Sequence, residues 1–441
     1  MVTKNDFWPW IIVFFGLLFS MIRSTTDRCY SMFYLHWMYE YDIEYTYVSM
    51  VMGAFYVGYA ASGLLCLVLV KYWSLRQLMI ACGMLAAVST SLAVIHLPFW
   101  CVVALFGAIP GLCFGMQLPL VLRNVTNCVP KNRRVLALQL VFMGYGLGPF
   151  LGCPTWQVLI SNYTWRGAIL IISAIYLHTV AVAGTMNPNA KMIEPLKVQN
   201  SAKDKVNVSV SRQTQVVDAP NCCGSKTLQS IYFQFDLGFF TLPATYIMLL
   251  FFSGFVSGVA VTVSYIVPYG IQELGLTEVQ ASFLPSAIAV GEMSAKVIVG
   301  MFFHKIKESR RKLLVSVEFL IAAVLLAILS SLRGYISVMI LCVGIGLLEG
   351  ATDGILVNYF VEIFPEKYFA AANSYLNLIG FLIVSVANLL AGITVDQTGK
   401  LSNVLYLGAS MYVAASVGMF LLHIRCPTKK QQNVTFSQLS E

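Results

Sequence analysis

Long apolar runs alternate with short polar segments along almost the whole chain of 441 residues. Each run holds about 20 mostly apolar residues, the length that an α-helix needs to cross a bilayer. Lipid offers no partners to backbone N–H and C=O groups, so a helix is the form that such a run must take. The pattern predicts an all-α membrane protein whose spans, numbered 1 to 12, cover residues 10–34, 46–70, 76–96, 98–122, 134–160, 165–187, 242–267, 279–303, 312–332, 335–359, 368–393 and 402–424.

A polar segment divides these spans six and six. It covers residues 188–241, is rich in Lys, Ser, Asn and Val, and lacks periodicity, which predicts a largely disordered tether. The expected organisation is an N-terminal six-helix half over 1–187, the tether, a C-terminal six-helix half over 242–425 and a tail over 426–441. Two halves joined in this way are typical of transporters that rock around a site near the middle of the membrane.

The spacing of small residues indicates that the two halves are related. Ser49 precedes Gly58 by nine residues in span 2, and Ser282 precedes Gly291 by nine residues in span 8. Small residues are also what any close helix contact requires, so the spacing is compatible with ordinary packing as well.

Composition excludes a water-facing globule. Only 11% of the residues are charged and 58% are hydrophobic, whereas a soluble domain has about 25% charged residues. The net charge of +8 comes from Lys and Arg in short loops between apolar runs, which indicates membrane topology and not a nucleic-acid partner. With a cytoplasmic N-terminus, the outer loops carry only Arg166, Arg333 and Lys400. The positive-inside rule therefore predicts that both termini are cytoplasmic.

The chain offers no motif of an enzyme. Its 11 cysteines show no metal-ligand spacing, and most lie inside apolar runs, so we interpret them as small core residues. There is no phosphate-binding loop and no nucleophile–base motif. We expect neither a cofactor nor a metal.

Four short motifs resemble a known family. Residues 5–10 (Asn-Asp-Phe-Trp-Pro-Trp) are similar to the opening Asp-Gly-Gly-Trp-Gly-Trp of the monocarboxylate transporters, solute carrier family 16 of the major facilitator superfamily. Residues 133–137 are similar to that family's motif in span 5, and residues 163–168 (Tyr-Thr-Trp-Arg-Gly-Ala) resemble its Tyr-Gly-Trp-Arg-Gly segment. Residues 391–399 resemble its Gly-x-Leu-x-Asp-x-Thr-Gly motif.

The resemblance implies a major facilitator fold with twelve transmembrane helices. It implies a secondary transporter of the plasma membrane that moves a small carboxylated solute by alternating access, with a proton as a possible second substrate. It also implies a single-span glycoprotein chaperone as a possible partner. The opening motif has lost both of the family's glycines, which puts a standard substrate in doubt more than the fold.

Ionisable residues within the spans are the candidates for a functional site. Each costs about 2.5–3.5 kcal/mol at a helix centre, so such residues usually face a cavity; the alternative is that they only hold helices together. The seven residues are Arg23, Asp27, Arg28, Glu292, Lys296, Glu349 and Asp353.

Helix geometry singles out one cation of span 1. Arg23 and Asp27 lie four residues apart and can pair. Arg28 lies about 140° around the helix from Arg23, so Asp27 is poorly placed to neutralise it. By the resemblance, Arg28 takes the position of the family's substrate-binding lysine, eighteen residues after Trp10. We expect its planar guanidinium to bind the carboxylate of the substrate.

Spans 8 and 10 supply the remaining candidates. Glu292 and Lys296 lie four residues apart and match the family's Asp-x-x-x-Arg pair, which implies that Glu292 accepts the coupled proton and that Lys296 binds the anion. Glu349 and Asp353 put two acids on one face of span 10, where no family motif places them. We expect both to contact the substrate. The seven residues comprise three cations and four acids, so a zwitterion or organic cation is also compatible with the cavity.

Three functions remain open at this point. The first is proton- or gradient-driven transport of a small carboxylate. The second is facilitated movement of an amino acid, an amine or a creatine-like zwitterion. The third is a transporter-like receptor, or a scaffold for a single-span glycoprotein, without transport. Retention of costly charges inside the membrane favours transport.

Overall fold

The structure is a computed structural model that describes residues 4–70, 72–130, 133–186, 237–302, 308–353, 355–364 and 369–425. These residues are almost entirely helical. Eleven helical segments are long and apolar enough to cross a membrane. One of them, Leu136–Ala183, has 48 residues and contains both span 5 and span 6, so all twelve predicted spans are accounted for.

The helices follow the predicted spans closely. Their bounds are Lys4–Cys29 and Tyr34–Tyr41 (span 1, joined by a 3-10 turn over Tyr30–Phe33), Tyr45–Leu69 (span 2), Leu75–Leu92 (span 3), Phe99–Val102 and Ile109–Cys128 (span 4, joined by a π-helical stretch over Val103–Ala108), Arg134–Tyr176 and His178–Ala183 (spans 5 and 6), Pro243–Gln272 (span 7), Glu278–Phe302 (span 8), Glu308–Leu329 (span 9), Tyr335–Asp353 (span 10, followed by the short helix Leu356–Ile363), Phe369–Thr398 (span 11) and Ser402–Arg425 (span 12).

Spans 5 and 6 are separated by a single non-helical residue. Thr164 has φ 64° and ψ 169°, and the helix continues on both sides of it. This is a conformation that essentially only glycine adopts without strain. The related family motif has glycine at the position of Thr164, so here a threonine makes a turn that suits glycine.

Matched glycines confirm that the two halves are built alike. A Cβ atom at Gly58 would lie 2.1 Å from the carbonyl oxygen of Ala108, and one at Gly291 would lie 2.2 Å from that of Val343. Span 2 therefore packs against span 4 as span 8 packs against span 10. Only glycine permits so close an approach of two helix backbones.

The halves meet firmly on one side of the bundle. An even number of spans brings Lys4, at the start of span 1, and Arg425, at the end of span 12, to one side of the bundle, which we call the terminal side. The opposite side is called the far side. On the far side, Asp396 at the end of span 11 accepts hydrogen bonds from the backbone N–H groups of Tyr45 (3.0 Å) and Thr46 (2.7 Å). The carboxylate thus caps the N-terminus of span 2, a helix of the other half. The Tyr45 hydroxyl donates to Gln272 at 2.8 Å.

Further far-side contacts complete this closure. The rings of Tyr34 and Tyr265 meet edge to face with 5.9 Å between centroids, and Gln157 donates to Glu278 at 2.6 Å. Within the described ranges, the hydrogen bonds and ion pairs that join the halves lie in the far-side half of the bundle or at the interior cavity. The molecule is therefore closed on the far side.

The tether is described only at its end. Leu237–Thr241, which we expected to belong to it, forms a 3-10 helix. Phe239 in this helix is buried, and its ring centroid lies 5.0 Å from that of Phe364. The rest of the tether and the tail lie outside the described residues.

A disulfide joins spans 1 and 5. Cys29 and Cys153 are bonded, with 5.4 Å between their Cα atoms, and both are fully buried. Our interpretation of the cysteines as core residues holds for the burial of these two, but the bond between them was not predicted. The interpretation also holds for Cys66, Cys82 and Cys342, which are free and buried, whereas Cys101 is free and half-buried.

Candidate functional site

A cavity of about 210 Å³ lies between the two halves. It is smaller than the roughly 300–1,000 Å³ of pockets for drug-sized ligands, which restricts it to a small solute. All seven ionisable residues predicted within the spans line it. The lining residues are Arg23, Asp27, Arg28, Tyr56, Phe142 and Tyr145 from the first half and Phe252, Phe255, Val256, Val259, Glu292, Lys296, Glu349, Asp353, Leu356, Asn377 and Phe381 from the second.

One ion pair crosses the cavity from half to half. Nη1 of Arg28 lies 2.9 Å from Oε1 of Glu292 and 4.0 Å from Oε2 of Glu349. The other oxygen of Glu349 accepts a short hydrogen bond from the hydroxyl of Tyr412. A single guanidinium of span 1 thus faces two buried carboxylates, one from span 8 and one from span 10.

The second cation of the cavity is held within the C-terminal half. Nζ of Lys296 lies 2.7 Å from Oδ2 of Asp353 and 4.0 Å from Oε2 of Glu292. The Asp353 side chain is 50% exposed, whereas Glu292 is 6% exposed. Lys296 therefore pairs mainly with the acid that reaches the open part of the cavity.

The pair predicted within span 1 is not formed. Among the described residues, no carboxylate oxygen lies within 4.0 Å of Arg23, whose guanidinium carbon lies 4.7 Å from the ring centroid of Tyr59 and 4.8 Å from that of Tyr145. Asp27 instead accepts a hydrogen bond of 2.8 Å from the hydroxyl of Tyr56. Sequence spacing places Arg23 and Asp27 in reach of each other, but aromatic rings from spans 2 and 5 hold them apart.

The partners of Arg28 and Glu292 come from different helices. Arg28, which we judged poorly placed to be neutralised by Asp27, pairs with Glu292 of the other half. Glu292 and Lys296, which we expected to pair along span 8, are 4.0 Å apart, at the limit of an ion pair. The physical reason is the same in both cases: the helical spacing rule compares residues of one helix, and the preferred partner comes from another.

Aromatic side chains are the part of the site that sequence reasoning missed. The ring of Tyr56 is stacked on that of Phe381, with 5.7 Å between centroids and 8° between planes. Tyr145 faces Arg23 and also lies 5.9 Å from Nζ of Lys296. In the sequence these residues look like any other aromatic residues of apolar spans, and only their contact with buried charges distinguishes them.

A fifth acid within a span was also overlooked. Glu318 lies in span 9 and its Oε1 accepts a hydrogen bond of 2.8 Å from the hydroxyl of Thr352. It does not line the cavity. An acidic residue inside an apolar run is a signal that the sequence displays, so this residue could have been found.

The ion pairs of the cavity can exchange an internal carboxylate for the carboxylate of a solute. Arg28 can release Glu292 to take the carboxylate of a solute, because the two anions compete for the same N–H groups. Such an exchange at the contact between two halves is what an alternating-access site requires.

Comparison with known proteins defines the class. The sequence model of the Major Facilitator Superfamily matches residues 10–387 and 250–439. The chain belongs to this superfamily of membrane transporters and is not an enzyme. The curated relatives that it resembles are monocarboxylate transporters. It is 21% identical over 438 residues to monocarboxylate transporter 12-B of Danio rerio, covering 97% of this chain and 90% of that protein.

A second relative and two solved structures are also similar to the chain. Monocarboxylate transporter 6 of Homo sapiens is 22% identical, with 93% of this chain and 79% of that protein covered. Among solved structures, a D-xylose–proton symporter superposes with a TM-score of 0.69 at 13% identity, covering 93% of this chain and 96% of that one. A bacterial homologue of the lysosomal transporter Spinster superposes with a TM-score of 0.68 at 13% identity, covering 95% and 96%. At these identities the structural likeness concerns the fold alone, and it confirms the predicted fold class.

Proposed function

We propose that the chain moves a small carboxylated metabolite, a monocarboxylate or a close relative, across the plasma membrane by alternating access. The observation that carries this proposal is the ion pair between Arg28 and Glu292, which joins the two halves inside a solute-sized cavity. The relatives support it, since their names identify them as monocarboxylate transporters. Arg28 is assigned the carboxylate of the solute, and Lys296, Glu349 and Asp353 complete the contacts.

Glu292 is assigned the coupled proton. Its side chain is only 6% exposed and competes with the solute for Arg28. When Glu292 is ionised, it holds Arg28; when it is protonated, Arg28 is available to the solute. Binding of the anion and binding of the proton then favour each other, which is the thermodynamic basis of symport.

We also propose that both termini are cytoplasmic. The Lys and Arg distribution supports this orientation, and the closed far side would then be extracellular. A single-span glycoprotein remains a candidate chaperone, on the family resemblance alone.

The first test is uptake of labelled lactate in cells that express the chain. Arg28→Ala should abolish uptake, while Arg310→Ala, which changes an exposed arginine at the start of span 9, should not. Surface biotinylation normalises both to the amount delivered. Because Arg28→Ala leaves Glu292 without its partner, Arg28→Met/Glu292→Gln serves as a second variant that should reach the surface better and still not transport. Uptake by either Arg28 variant at the wild-type rate would remove Arg28 from the site.

A second test separates coupling from binding. Glu292→Gln imitates the protonated form, so exchange of labelled for unlabelled lactate should persist while accumulation driven by a pH gradient is lost. Accumulation that still follows the pH gradient in this variant would show that Glu292 does not take the proton.

A second function is favoured by the excess of acids. Four carboxylates and three cations line the cavity, so a facilitative carrier of an amino acid, an amine or another zwitterion is the alternative. The difference between the two candidates is whether the solute also carries a positive charge.

A further inference from the structure

Arg23 is a buried cation without a paired anion. The residue is 5% exposed, and within the described residues no carboxylate oxygen lies within 4.0 Å of its side-chain nitrogens. Its Nε and Nη1 groups lack any hydrogen-bond partner. The rings of Tyr59 and Tyr145 cover the guanidinium, each less than 5 Å away, and stabilise its charge without neutralising it. Burial of a charge without a counter-ion is destabilising, so an anionic group of a solute near Arg23 would be stabilised there.

Asp27 is the acid of the cavity that lacks a nearby cation, as Arg23 is the cation that lacks a nearby acid. The other three carboxylates of the cavity each lie within 4.0 Å of Arg28 or Lys296. Among the described residues, no basic group lies that close to Asp27, which accepts a hydrogen bond from the hydroxyl of Tyr56. The ring of Tyr56 continues through its stack with Phe381 into an aromatic wall of the cavity. An anion beside aromatic faces is an arrangement that recognises organic cations.

The two charges are arranged along one helix. Arg23 and Asp27 lie one turn apart on span 1, about 6 Å along its axis at 1.5 Å per residue, and both line the same cavity. The cations Arg28 and Lys296 already have carboxylates at 2.9 Å and 2.7 Å. Among the described ionisable residues that line the cavity, Arg23 and Asp27 are therefore the two that have no ion-pair partner within 4.0 Å.

We infer that Arg23 and Asp27 determine specificity for a compact zwitterion, with Arg23 supporting Arg28 in attracting its carboxylate and Asp27 facing its ammonium or guanidinium group. This inference rests on the proposed transport function and narrows the class of solute. A simple monocarboxylate would satisfy Arg23 and would leave Asp27 as a repelling charge.

The test compares two solutes that differ at one group. L-lactate and L-alanine have the same skeleton, with a hydroxyl on one and an ammonium on the other, so their ratio isolates the contribution of Asp27. The purified full chain is reconstituted in liposomes, and uptake of each labelled compound is measured with the other as competitor. Propionate and β-alanine extend the comparison to other charge separations.

We expect the wild type to take a zwitterion at least tenfold better than the matched monocarboxylate. Asp27→Asn should remove that preference, with a loss of tenfold or more for the zwitterion and little change for the monocarboxylate. Tyr56→Phe, which removes only the hydroxyl that donates to Asp27, should change the preference by a smaller factor in a protein that keeps its aromatic wall. Arg23→Gln should weaken both solutes, and Arg23→Lys should recover part of the loss.

Asp42→Asn is the matched control, because Asp42 is an exposed acid outside the cavity. If the wild type prefers lactate and Asp27→Asn leaves its preference unchanged, the zwitterion inference is overturned and carboxylate transport stands. If the wild type takes none of the four compounds, both the inference and the proposed function are overturned. A preference for zwitterions that Asp27→Asn and Arg23→Gln do not alter assigns specificity to other residues and also overturns the inference.

Discussion

Burial, more than distance, should decide which ion pair of the cavity stabilises the fold. The Lys296–Asp353 pair is the shorter at 2.7 Å, against 2.9 Å for Arg28–Glu292. However, Asp353 is 50% exposed and Glu292 is 6% exposed. We therefore predict that Arg28→Met destabilises the protein much more than Lys296→Met does.

The magnitudes follow from the surroundings of each pair. At 2.9 Å the Coulomb attraction is about 6 kcal/mol for an effective dielectric of about 20, and loss of one partner of a buried pair costs about 3–5 kcal/mol. Arg28→Met also removes the cation 4.0 Å from Glu349, which is 2% exposed. Water screens Asp353, so its pair with Lys296 should contribute only about 0.2–1 kcal/mol.

Two double-mutant cycles measure these values. One combines Arg28→Met with Glu292→Gln, and the other combines Lys296→Met with Asp353→Asn. Thermal unfolding of the purified proteins in one detergent, at one pH and salt concentration, gives the departure from additivity. We expect about 2–3 kcal/mol of coupling in the first cycle, near the upper end for contacting residues, and no more than about 1 kcal/mol in the second.

Equal coupling in the two cycles would refute the argument from burial. A first cycle below about 1 kcal/mol would do the same, since a buried charge left without its partner must cost more than an exposed one. A third cycle, between Glu292 and Lys296, serves as the internal reference because these groups are 4.0 Å apart.

Three further outcomes are expected. Thr164→Gly should raise the thermal midpoint, because relief of the backbone strain at φ 64° is worth about 1–3 kcal/mol; an unchanged or lower midpoint contradicts this. Gly111→Ala should reduce surface delivery sharply, since its Cβ would lie 2.0 Å from a carbonyl oxygen of span 2, whereas Gly63→Ala, with nothing within 4 Å, should not; equal delivery argues against the close contact. Asp396→Asn should weaken the far-side closure and increase labelling of Tyr34→Cys by an impermeant maleimide, whereas labelling at the level of the parent would show that the cap does not hold the halves together.

The fold was predictable because the bilayer imposes it on the sequence. A helix must cross about 30 Å of hydrocarbon, so each span appears as an apolar run of similar length. The matched spacing before Gly58 and Gly291 also had a structural meaning, since both contact a neighbouring helix backbone in the same way. The merged helix of spans 5 and 6 could not be foreseen, because a single residue, Thr164, makes the turn.

The sequence showed which ionisable residues belong to the site, but it did not show which of them form ion pairs with each other. Ionisable residues in apolar runs pointed to the cavity that all seven line. Their partners are chosen by tertiary packing: Arg28 meets an acid that lies 264 positions along the chain, and Arg23 is drawn to rings of spans 2 and 5. The disulfide was not predicted for the same reason. Only the depth of Cys29 and Cys153 within their two spans could have indicated that they lie side by side.

The bond between Cys29 and Cys153 can report whether spans 1 and 5 of the N-terminal half have packed together. Disulfides form in oxidising compartments such as the lumen of the endoplasmic reticulum, and this one closes only when two spans 124 residues apart lie side by side. Once the disulfide has formed, neither Cys29 nor Cys153 has a free thiol that an alkylating reagent could modify. In denatured cell extracts, an alkylating reagent that adds mass therefore labels Cys29 and Cys153 only in molecules whose N-terminal half has not assembled. Molecules in which only the C-terminal half is misfolded keep the disulfide and are counted separately.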